Sequence, residues 1–192
     1  MIPPELLLQA YAEGVFPMSM ENGEIGWFSP DPRGIIPLDT FHVPHGLKRA
    51  LKQKKFTIRI DHDFEGVMRA CSKREDTWIS EEIISSYVAL HRLGFAHSVE
   101  AWNVNGLVGG LYGVSLNGAF FGESMFHIET DASKVALVAL VEHLRQCGFT
   151  LLDTQWITPH LATFGAVNIS KKAYLLRLRS ALQLDRNFTT LA

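Results

Sequence analysis

The chain has few of the features that announce a function by themselves. Its two cysteines, Cys71 and Cys147, are too few for a disulfide framework or a thiolate zinc site, so a reducing compartment is expected. Its eight histidines are scattered over separate segments and form no convincing metal set. The net charge of -2 provides no global field for nucleic acid, so any such contact must be local.

Long apolar runs and targeting signals are also missing. Met1 is followed by two prolines and a short amphipathic helix, without the basic start and apolar core of a signal peptide. No apolar run is long enough to cross a bilayer, so a cytoplasmic protein without membrane contact is expected. The 192 residues suffice for one full core plus a small accessory piece.

The clearest pattern in the chain is a strand, a helix and a second strand. Ala119–Ile128 is aromatic and follows an Asn-Gly pair, which is typical of a tight hairpin turn. A helix with apolar residues at helical spacing follows, with Thr130 or Asp131 as its expected cap and Gly148 as its end. Phe149–Trp156 is a second short apolar run, so this unit predicts two neighbouring parallel strands joined by a crossover helix.

The rest of the chain predicts helices and strands around this unit. Phe16-Pro17 is expected to turn the chain outwards, and the segment from Met18 to Pro37, rich in Gly and Pro, is expected to be a loop. Two Asn-Gly pairs predict a three-stranded antiparallel meander that ends in the Ala119 strand. The other predicted elements are helices at Pro4–Glu13, Pro44–Gln53, Phe64–Cys71, Ser80–Gly94 and from Ser170, a turn or short helix around His160, and strands at Phe56–Ile60, His97–Val104 and Leu107–Leu116.

This order of elements predicts an α+β fold, in which helices flank a mixed sheet. A meander, a crossover helix and then a parallel strand is the order found in the acyl-CoA N-acetyltransferase fold, which the layout resembles.

Two sets of polar residues interrupt the buried strands. Glu123 lies in the middle of the first strand, while Asp153 and Gln155 lie two apart in the second and should share one face. A buried carboxylate is costly unless it is paired or used. Each acid could belong to a buried salt bridge, although Asp153 shows no evident structural need to be acidic. The set is therefore a candidate site.

Several ordered motifs resemble one family over nearly the whole chain. They are YAEGVFP at 11–17, SPDPR at 29–33, EDTWIS at 75–80, GGLYGVSL at 109–116, FFGESMF at 120–126, ASK at 132–134, LLDTQ at 151–155 and HLATFGA at 160–166. Together they resemble the bacterial leucyl/phenylalanyl-tRNA-protein transferases.

The resemblance implies a reaction and its partners. The donor would be aminoacyl-tRNA carrying Leu or Phe, and the acceptor a protein with an N-terminal Arg or Lys, which is thereby marked for degradation by the N-end rule pathway. An aminoacyl ester is already activated, so no cofactor is expected. The family layout implies a reduced small N-terminal domain at residues 1–31 and an acetyltransferase-like catalytic domain at residues 32–192. A monomer is expected.

The resemblance also assigns roles at the candidate site. Asp153 and Gln155 correspond to the catalytic pair of the family, and Glu123 to the acid that binds the acceptor. An acidic pocket suits a cationic acceptor, and Gln155 can orient its α-amine or donate to the oxyanion. Whether Asp153 is a general base or a positioning charge stays open at this point.

Donor recognition is assigned by the same resemblance. Met125 suits a pocket for both an aliphatic and an aromatic guest, because its side chain is unbranched and flexible. Trp78 is the expected stacking partner of the terminal adenine; a second tryptophan of some family members is replaced here by Met18, which leaves Met18 itself, Trp27 or Phe28 as the other wall. The remaining residues expected around the donor site are Leu111, Phe120, Leu140, Leu144, Leu152, Tyr11 and Tyr87.

Two other functions fit parts of the sequence. An acetyl-CoA-dependent N-acetyltransferase would need a Gly-rich turn before the crossover helix, whereas the nearest such string, 145–150, lies after it. A non-catalytic RNA or peptide binder would explain a basic segment but would leave the polar set without a task. That segment, which is either a solvated helix face or a tRNA contact, contains Lys48, Arg49, Lys52, Lys54 and Lys55.

Overall fold

The computed structural model describes residues 1–73 and 77–189. Its elements in chain order are α1 (Pro4–Ala12), β1 (Phe16–Ser19), β2 (Ile25–Phe28), β3 (Arg33–Ile36), α2 (His45–Lys52), β4 (Thr57–Ile60), α3 (Phe64–Cys71), α4 (Glu81–Arg92), β5 (Ala96–Asn103), β6 (Gly106–Leu116), β7 (Ala119–His127), α5 (Ala132–Gln146), β8 (Leu151–Gln155), α6 (Pro159–Ala162), β9 (Val167–Ile169) and α7 (Lys171–Leu182).

The main sheet has seven strands in the order β4-β5-β6-β7-β8-β3-β9. Strands β5, β6 and β7 form the predicted antiparallel meander, and Asn117 takes a positive φ of 51° in the second Asn-Gly turn. Strand β8 runs parallel to β7 and follows the crossover helix α5. The predicted α+β architecture with a mixed sheet is therefore confirmed.

The crossover helix α5 is confirmed, but its N-terminus differs from the expectation. Asp131 occupies the cap position with a φ of 71° and makes no capping hydrogen bond with its side chain. Its carboxylate instead accepts a hydrogen bond of 2.9 Å from Lys134 Nζ. Asp131 is therefore the N-cap residue, one of the two predicted, although its side chain makes no capping hydrogen bond, and Gly148, with a φ of 74°, ends the helix as predicted.

The segment from Met18 to Pro37, predicted to be a loop, contains the end of β1 and all of β2 and β3, so the prediction was wrong for half of its residues. Strands β1 and β2 form a separate two-stranded antiparallel sheet, and β3 inserts into the main sheet between β8 and β9. Gly34 permits this insertion, because a Cβ there would lie 2.7 Å from the carbonyl carbon of Trp156.

Helices cover both faces of the main sheet. On one face, α1, α3, α4 and α7 pack against a core that includes Tyr112 and Phe121. On the other face, α2 and α5 pack against a core that includes Leu111 and Leu152. Successive residues of a strand point to opposite faces of the sheet, so neighbours such as Leu111 and Tyr112 belong to different cores. Within the described ranges, no helix is long and apolar enough to cross a membrane.

Candidate functional site

A cavity opens where β7 and β8 stop pairing. The parallel register runs from the Ala119–Leu151 pair to the Phe121–Asp153 pair, and beyond it the strands separate. The cavity has a volume of about 250 Å³. It is lined by Phe16, Met18, Trp78, Leu111, Tyr112, Gly122, Glu123, Ser124, Met125, Leu137, Leu140, Leu152, Thr154, Gln155, Trp156, Thr158 and Leu161.

A β-bulge places Glu123 in this cavity. Tyr112 pairs with Ser124 and Gly113 pairs with Gly122, so Glu123 is the extra residue that has no partner on β6. A bulge redirects the side chains around it and locally ends the regular ladder. The sequence predicted Glu123 in the middle of the strand, and the bulge frees it from pairing with β6 at the cavity wall.

Glu123 is half-buried, and its hydrogen-bond partners are neutral. The hydroxyl of Tyr11 donates to Glu123 Oε1 at 2.7 Å, and Gln155 Nε2 donates to the same oxygen at 3.2 Å. Tyr87 forms a short hydrogen bond with Tyr11 from behind. Burial raises the pKa of Glu123 to about 8, with a further contribution from the charge of Asp153, while the Tyr11 hydrogen bond and Arg33 act in the opposite direction.

The two tyrosines form the support of Glu123. Burial, followed by the charge of Glu123, raises the pKa of both Tyr11 and Tyr87 well above 10. Both hydroxyls therefore stay protonated at neutral pH and act as fixed donors. They were expected near the donor site, but they lie beneath Glu123 and are fully buried.

Asp153 is enclosed by donors and is not on the cavity wall. Arg33 binds it with two hydrogen bonds, from Nε to Oδ1 at 2.9 Å and from Nη2 to Oδ2 at 2.6 Å. The hydroxyl of Tyr174 donates to Oδ2 at 2.7 Å, and the backbone N–H of Gln155 donates to Oδ1 at 2.8 Å. The expectation that Asp153 has no structural need to be acidic was wrong, because a buried guanidinium requires its charge.

Arg33 itself is held on every side. Its Nη1 donates to the carbonyl of Gly14 at 2.9 Å, and its guanidinium carbon lies 4.9 Å from the ring centre of Phe16 and 4.4 Å from that of Tyr174. Only 1% of the residue is exposed. The ion pair with Asp153 therefore joins β3, β8 and α7 beneath the cavity.

Gln155 links the two carboxylates. It lies at the centre of a tight turn, with a φ of 56°, in which the Trp156 N–H donates to the Thr154 carbonyl at 2.6 Å. A positive φ at a non-glycine residue costs free energy, and such strain is often found at functional sites. The turn lets the backbone of Gln155 bind Asp153 while its side chain reaches Glu123 in the cavity.

The apolar part of the cavity contains most of the residues expected for the aminoacyl pocket. Met125, Leu111, Leu140 and Leu152 all line it. Phe120 does not, because it is fully buried and stacks on Phe188 with ring centres 5.2 Å apart. Leu144, also fully buried, lies in the same core cluster behind the wall. These last two residues support the pocket without bordering it.

Of the residues expected for adenine stacking, two border the cavity and two lie outside it. Trp78 and Met18 both border the cavity, and they are adjacent because the Ser19 N–H donates to the Trp78 carbonyl at 3.1 Å. Trp27 instead faces a surface groove with Leu6. Phe28 packs on Phe16 outside the cavity. In the motif at 75–80, residues 75 and 76 lie outside the described residues.

The contributors that sequence reasoning missed include Arg33, Tyr174 and Trp156. Arg33 stands in the SPDPR motif, and a search for a cation to neutralise a buried aspartate could have found it. No local signal marks Tyr174 or Trp156. Within the described ranges no group of three or more potential metal ligands occurs. The buried Nε2 of His160 has no hydrogen-bond partner among the described residues, whereas its backbone carbonyl accepts hydrogen bonds from the N–H and the hydroxyl of Thr163.

An apolar chamber with a carboxylate and an amide at its mouth has the properties of an acyltransferase site. The chamber can hold a large apolar acyl group, and the polar pair can receive an amine and stabilise the charge that develops on the acyl oxygen.

Comparison with known proteins identifies the family. A sequence model of the leucyl/phenylalanyl-tRNA protein transferases matches residues 35–179, and a model of their N-terminal domain matches residues 1–31. The transferase of Akkermansia muciniphila is 55% identical over 95% of this chain and 97% of its own length. That of Herpetosiphon aurantiacus is 56% identical, with 97% and 98% covered. The chain belongs to the leucyl/phenylalanyl-tRNA protein transferase family.

Among solved structures, L-PGS from Bacillus licheniformis aligns with a TM-score of 0.44 and 15% sequence identity. The alignment covers 82% of this chain and 55% of that chain.

Proposed function

We propose that the cavity is where this chain transfers Leu or Phe from aminoacyl-tRNA to the N-terminal Arg or Lys of acceptor proteins, marking them for degradation by the N-end rule pathway. The observation that carries this proposal is the position of Glu123, a half-buried carboxylate with neutral partners at the mouth of an apolar chamber. Membership of the family supplies the class of reaction.

The donor's side chain occupies the apolar chamber. A volume of about 250 Å³ suits one large apolar side chain, and Leu111, Leu140 and Leu152 give it no polar partner. Met125 can adapt to a branched or an aromatic guest. One methylene changes binding by only about 1 to 3 kcal/mol in such a pocket, so both Leu and Phe are accepted.

Glu123 receives the acceptor amine. Its carboxylate binds the α-ammonium and takes one proton from it, after which the amine nitrogen attacks the ester carbonyl carbon. A C–N bond forms, the ester C–O bond breaks, and the ribose oxygen leaves with a second proton from the attacking nitrogen, while the proton on Glu123 is released to water. Gln155 lies within reach of both the amine and the oxyanion, so we assign it the orienting role.

Asp153 acts as a positioning residue in this scheme. It binds the backbone N–H of Gln155 and the guanidinium of Arg33, and it does not border the cavity. Its negative charge fixes the strained turn that aims Gln155. We choose the positioning charge over the general base because the carboxylate is fully buried and both of its oxygens already accept hydrogen bonds from the protein.

The donor's adenosine lies at the other rim of the cavity. Trp78 offers a stacking face worth roughly 1 to 3 kcal/mol, and Met18 provides the opposite apolar wall. Residues 1–31, which supply Tyr11 and Met18, form the small N-terminal part, and residues 32–192 form the catalytic domain.

We assign the catalytic domain to the acyl-CoA N-acetyltransferase-like folds, because a meander, a crossover helix and two separating parallel strands surround its cavity. The whole site comes from one chain and the donor is a charged tRNA, so we propose a cytoplasmic monomer. The activated ester supplies the driving force, and the proposed reaction uses no cofactor.

The direct test measures transfer of radiolabelled Leu and Phe from charged tRNA to a peptide beginning with Arg. We expect transfer of both, and little to a matched peptide beginning with Asp. Acetyl-CoA in place of charged tRNA should yield no acetylated peptide. Acetylation without aminoacyl transfer would replace the proposed function with that of an N-acetyltransferase.

A further inference from the structure

Trp156 is a large aromatic residue that borders the cavity and remains partly exposed to solvent. Its side chain borders the chamber, yet 46% of the residue is exposed. It follows Gln155 directly, so the tight turn at Gln155 fixes its backbone as well. Single exposed aromatic residues are common, but this one presents its free surface beside the site, where a ligand can reach it.

Neighbouring residues hold this ring in place. Phe16 packs against it at 90°, with ring centres 5.2 Å apart. The backbone of Gly34 lies so close to the Trp156 carbonyl that even a Cβ would collide with it. With its backbone fixed at Gly34 and its indole packed on Phe16, Trp156 loses little side-chain entropy when a ligand packs on its exposed surface.

The charges of the acceptor require a second partner in the site. A protein with an N-terminal Arg or Lys presents two cations, the α-ammonium and the side chain. Among the described residues that line the cavity, Glu123 is the single carboxylate, and Asp153 is already occupied by Arg33. Once Glu123 binds the amine, the side-chain cation has no acidic partner on the wall.

We propose that the exposed face of Trp156 binds the side-chain cation of the acceptor's N-terminal Arg or Lys, and so helps to determine acceptor specificity. The inference rests on the proposed function. Tryptophan is the aromatic residue that best attracts a cation to its face, and Arg can also stack on it through its planar guanidinium. Glu123 then binds the α-amine of the acceptor and Trp156 binds its side-chain cation, with Gln155 between the two.

The test compares two peptides that differ in charge and little in shape. One begins with Arg and the other with citrulline, and kcat/KM is measured for each with the same charged tRNA. The variants are Trp156→Leu, which removes the ring, and Trp156→Phe, which keeps a weaker one. Trp27→Leu is the matched control, because Trp27 is 41% exposed but lies outside the cavity.

We expect Trp156→Leu to lose roughly 2- to 30-fold with the Arg peptide, the range of a cation–π contact at partly desolvated sites. The citrulline peptide should change far less, so the preference for Arg falls. Trp156→Phe should lie between wild type and Trp156→Leu, and Trp27→Leu should retain the full preference.

Other results would overturn the inference. Equal losses on both peptides would mean that Trp156 only shapes the cavity wall. If Trp156→Leu does not fold, the same comparison is made with Trp156→Phe. An increase in KM for charged tRNA alone would mean that the ring stacks on the donor's adenine. Failure of the wild-type protein to transfer to any peptide would instead remove the proposed function itself.

Discussion

Asp153 and Glu123 are carboxylates on neighbouring parallel strands, but their surroundings are opposite. Asp153 is fully buried and binds the guanidinium of Arg33 at 2.6 and 2.9 Å. Glu123 is half-buried at the cavity, and its donors Tyr11 and Gln155 carry no charge. The first carboxylate has its counter-ion in the protein, whereas the second pairs with no cation in residues 1–73 and 77–189.

The difference shows which acid is free to act on a substrate. Removing one member of the Arg33–Asp153 pair would leave a buried charge, so the protein cannot release either group during a reaction. Burial is the main cause that raises the pKa of Glu123 to about 8, because no cation within the described ranges pairs with its charged form; a cationic acceptor would supply one and so favour the carboxylate. This contrast supports the positioning role proposed for Asp153 and the chemical role proposed for Glu123.

The largest expected effect is the loss of transfer in Glu123→Gln. Glutamine keeps the shape and can still bond Tyr11, but it can neither hold an ammonium nor take its proton. We expect transfer to fall by about 100- to 10,000-fold, the usual contribution of a general acid–base group, with no decrease in melting temperature at neutral pH. Steady-state transfer and thermal unfolding measure both properties. Near-wild-type transfer would remove Glu123 from the chemistry.

Asp153→Asn should affect stability first. The substitution leaves Arg33 charged and buried, which costs about 3 to 5 kcal/mol, and each kcal/mol lowers the melting temperature by about 2 to 4 °C in a chain of this size. Adding Arg33→Met should restore part of the loss, because no unpaired charge then remains. A variant that melts like the wild type yet cannot transfer would show that Asp153 acts in the reaction directly.

Local signals predicted the central part of the fold. The Asn-Gly pairs, the helical spacing in α5 and Gly148 are each read within a few residues, and they located β5, β6, β7, α5 and β8. Strands β1, β2, β3 and β9 have three or four residues, too few to show a period. Strand β3 also pairs with strands more than 100 residues away, so nothing in its own sequence marks its place.

The site was predictable in its members but not in its arrangement. Polar residues in apolar strands identified Glu123, Asp153 and Gln155. Their alternation was expected to place the last two on one face, but the tight turn at Gln155 separates them. The bulge at Glu123 likewise interrupts the regular alternation of side chains along β7. The counter-ion of Asp153 lies 120 residues away in sequence, a distance that no local pattern spans.

A smaller effect is expected in the pH dependence of stability. The pKa of Glu123 rises from 4.5 to about 8 on folding, so the folded state holds this proton more tightly than the unfolded state. Its contribution to stability is therefore fully present below pH 4.5 and is lost as pH rises towards 8. Each pKa unit is worth about 1.4 kcal/mol, but water at the cavity mouth screens part of this, so we expect about 1 to 3 kcal/mol in total.

Urea unfolding of wild type and Glu123→Gln between pH 4.5 and 9 measures this contribution. Glutamine mimics the protonated acid, so the variant should become more stable than the wild type as pH rises. Other titrating groups contribute equally to both proteins and cancel in the difference between their free energies of unfolding. Parallel curves would show that Glu123 is charged without cost, and would weaken the contrast with Asp153.

The smallest expected effect concerns cations that, unlike Arg33, face water. Lys48, Arg49 and Lys52 are exposed on α2, whose buried Leu47 packs in the same core cluster as α5. Leu140 of α5 lines the cavity, so α2 packs behind one of its walls. We expect the three cations to contact phosphates without reading the sequence.

Reversing all three charges to Glu should weaken tRNA binding and flatten its salt dependence, by about 0.7 to 0.9 in the logarithmic slope for each phosphate that the protein no longer neutralises. The matched control reverses Lys172, Arg177 and Arg179, which are exposed on α7 and change the net charge equally. Fluorescence anisotropy of labelled tRNA over a salt series measures both slopes. Transfer to a peptide at saturating tRNA should stay unchanged, because Glu123 and its partners are untouched. If the α2 and α7 variants behave alike, the exposed cations of α2 form a solvated face and do not bind the donor specifically.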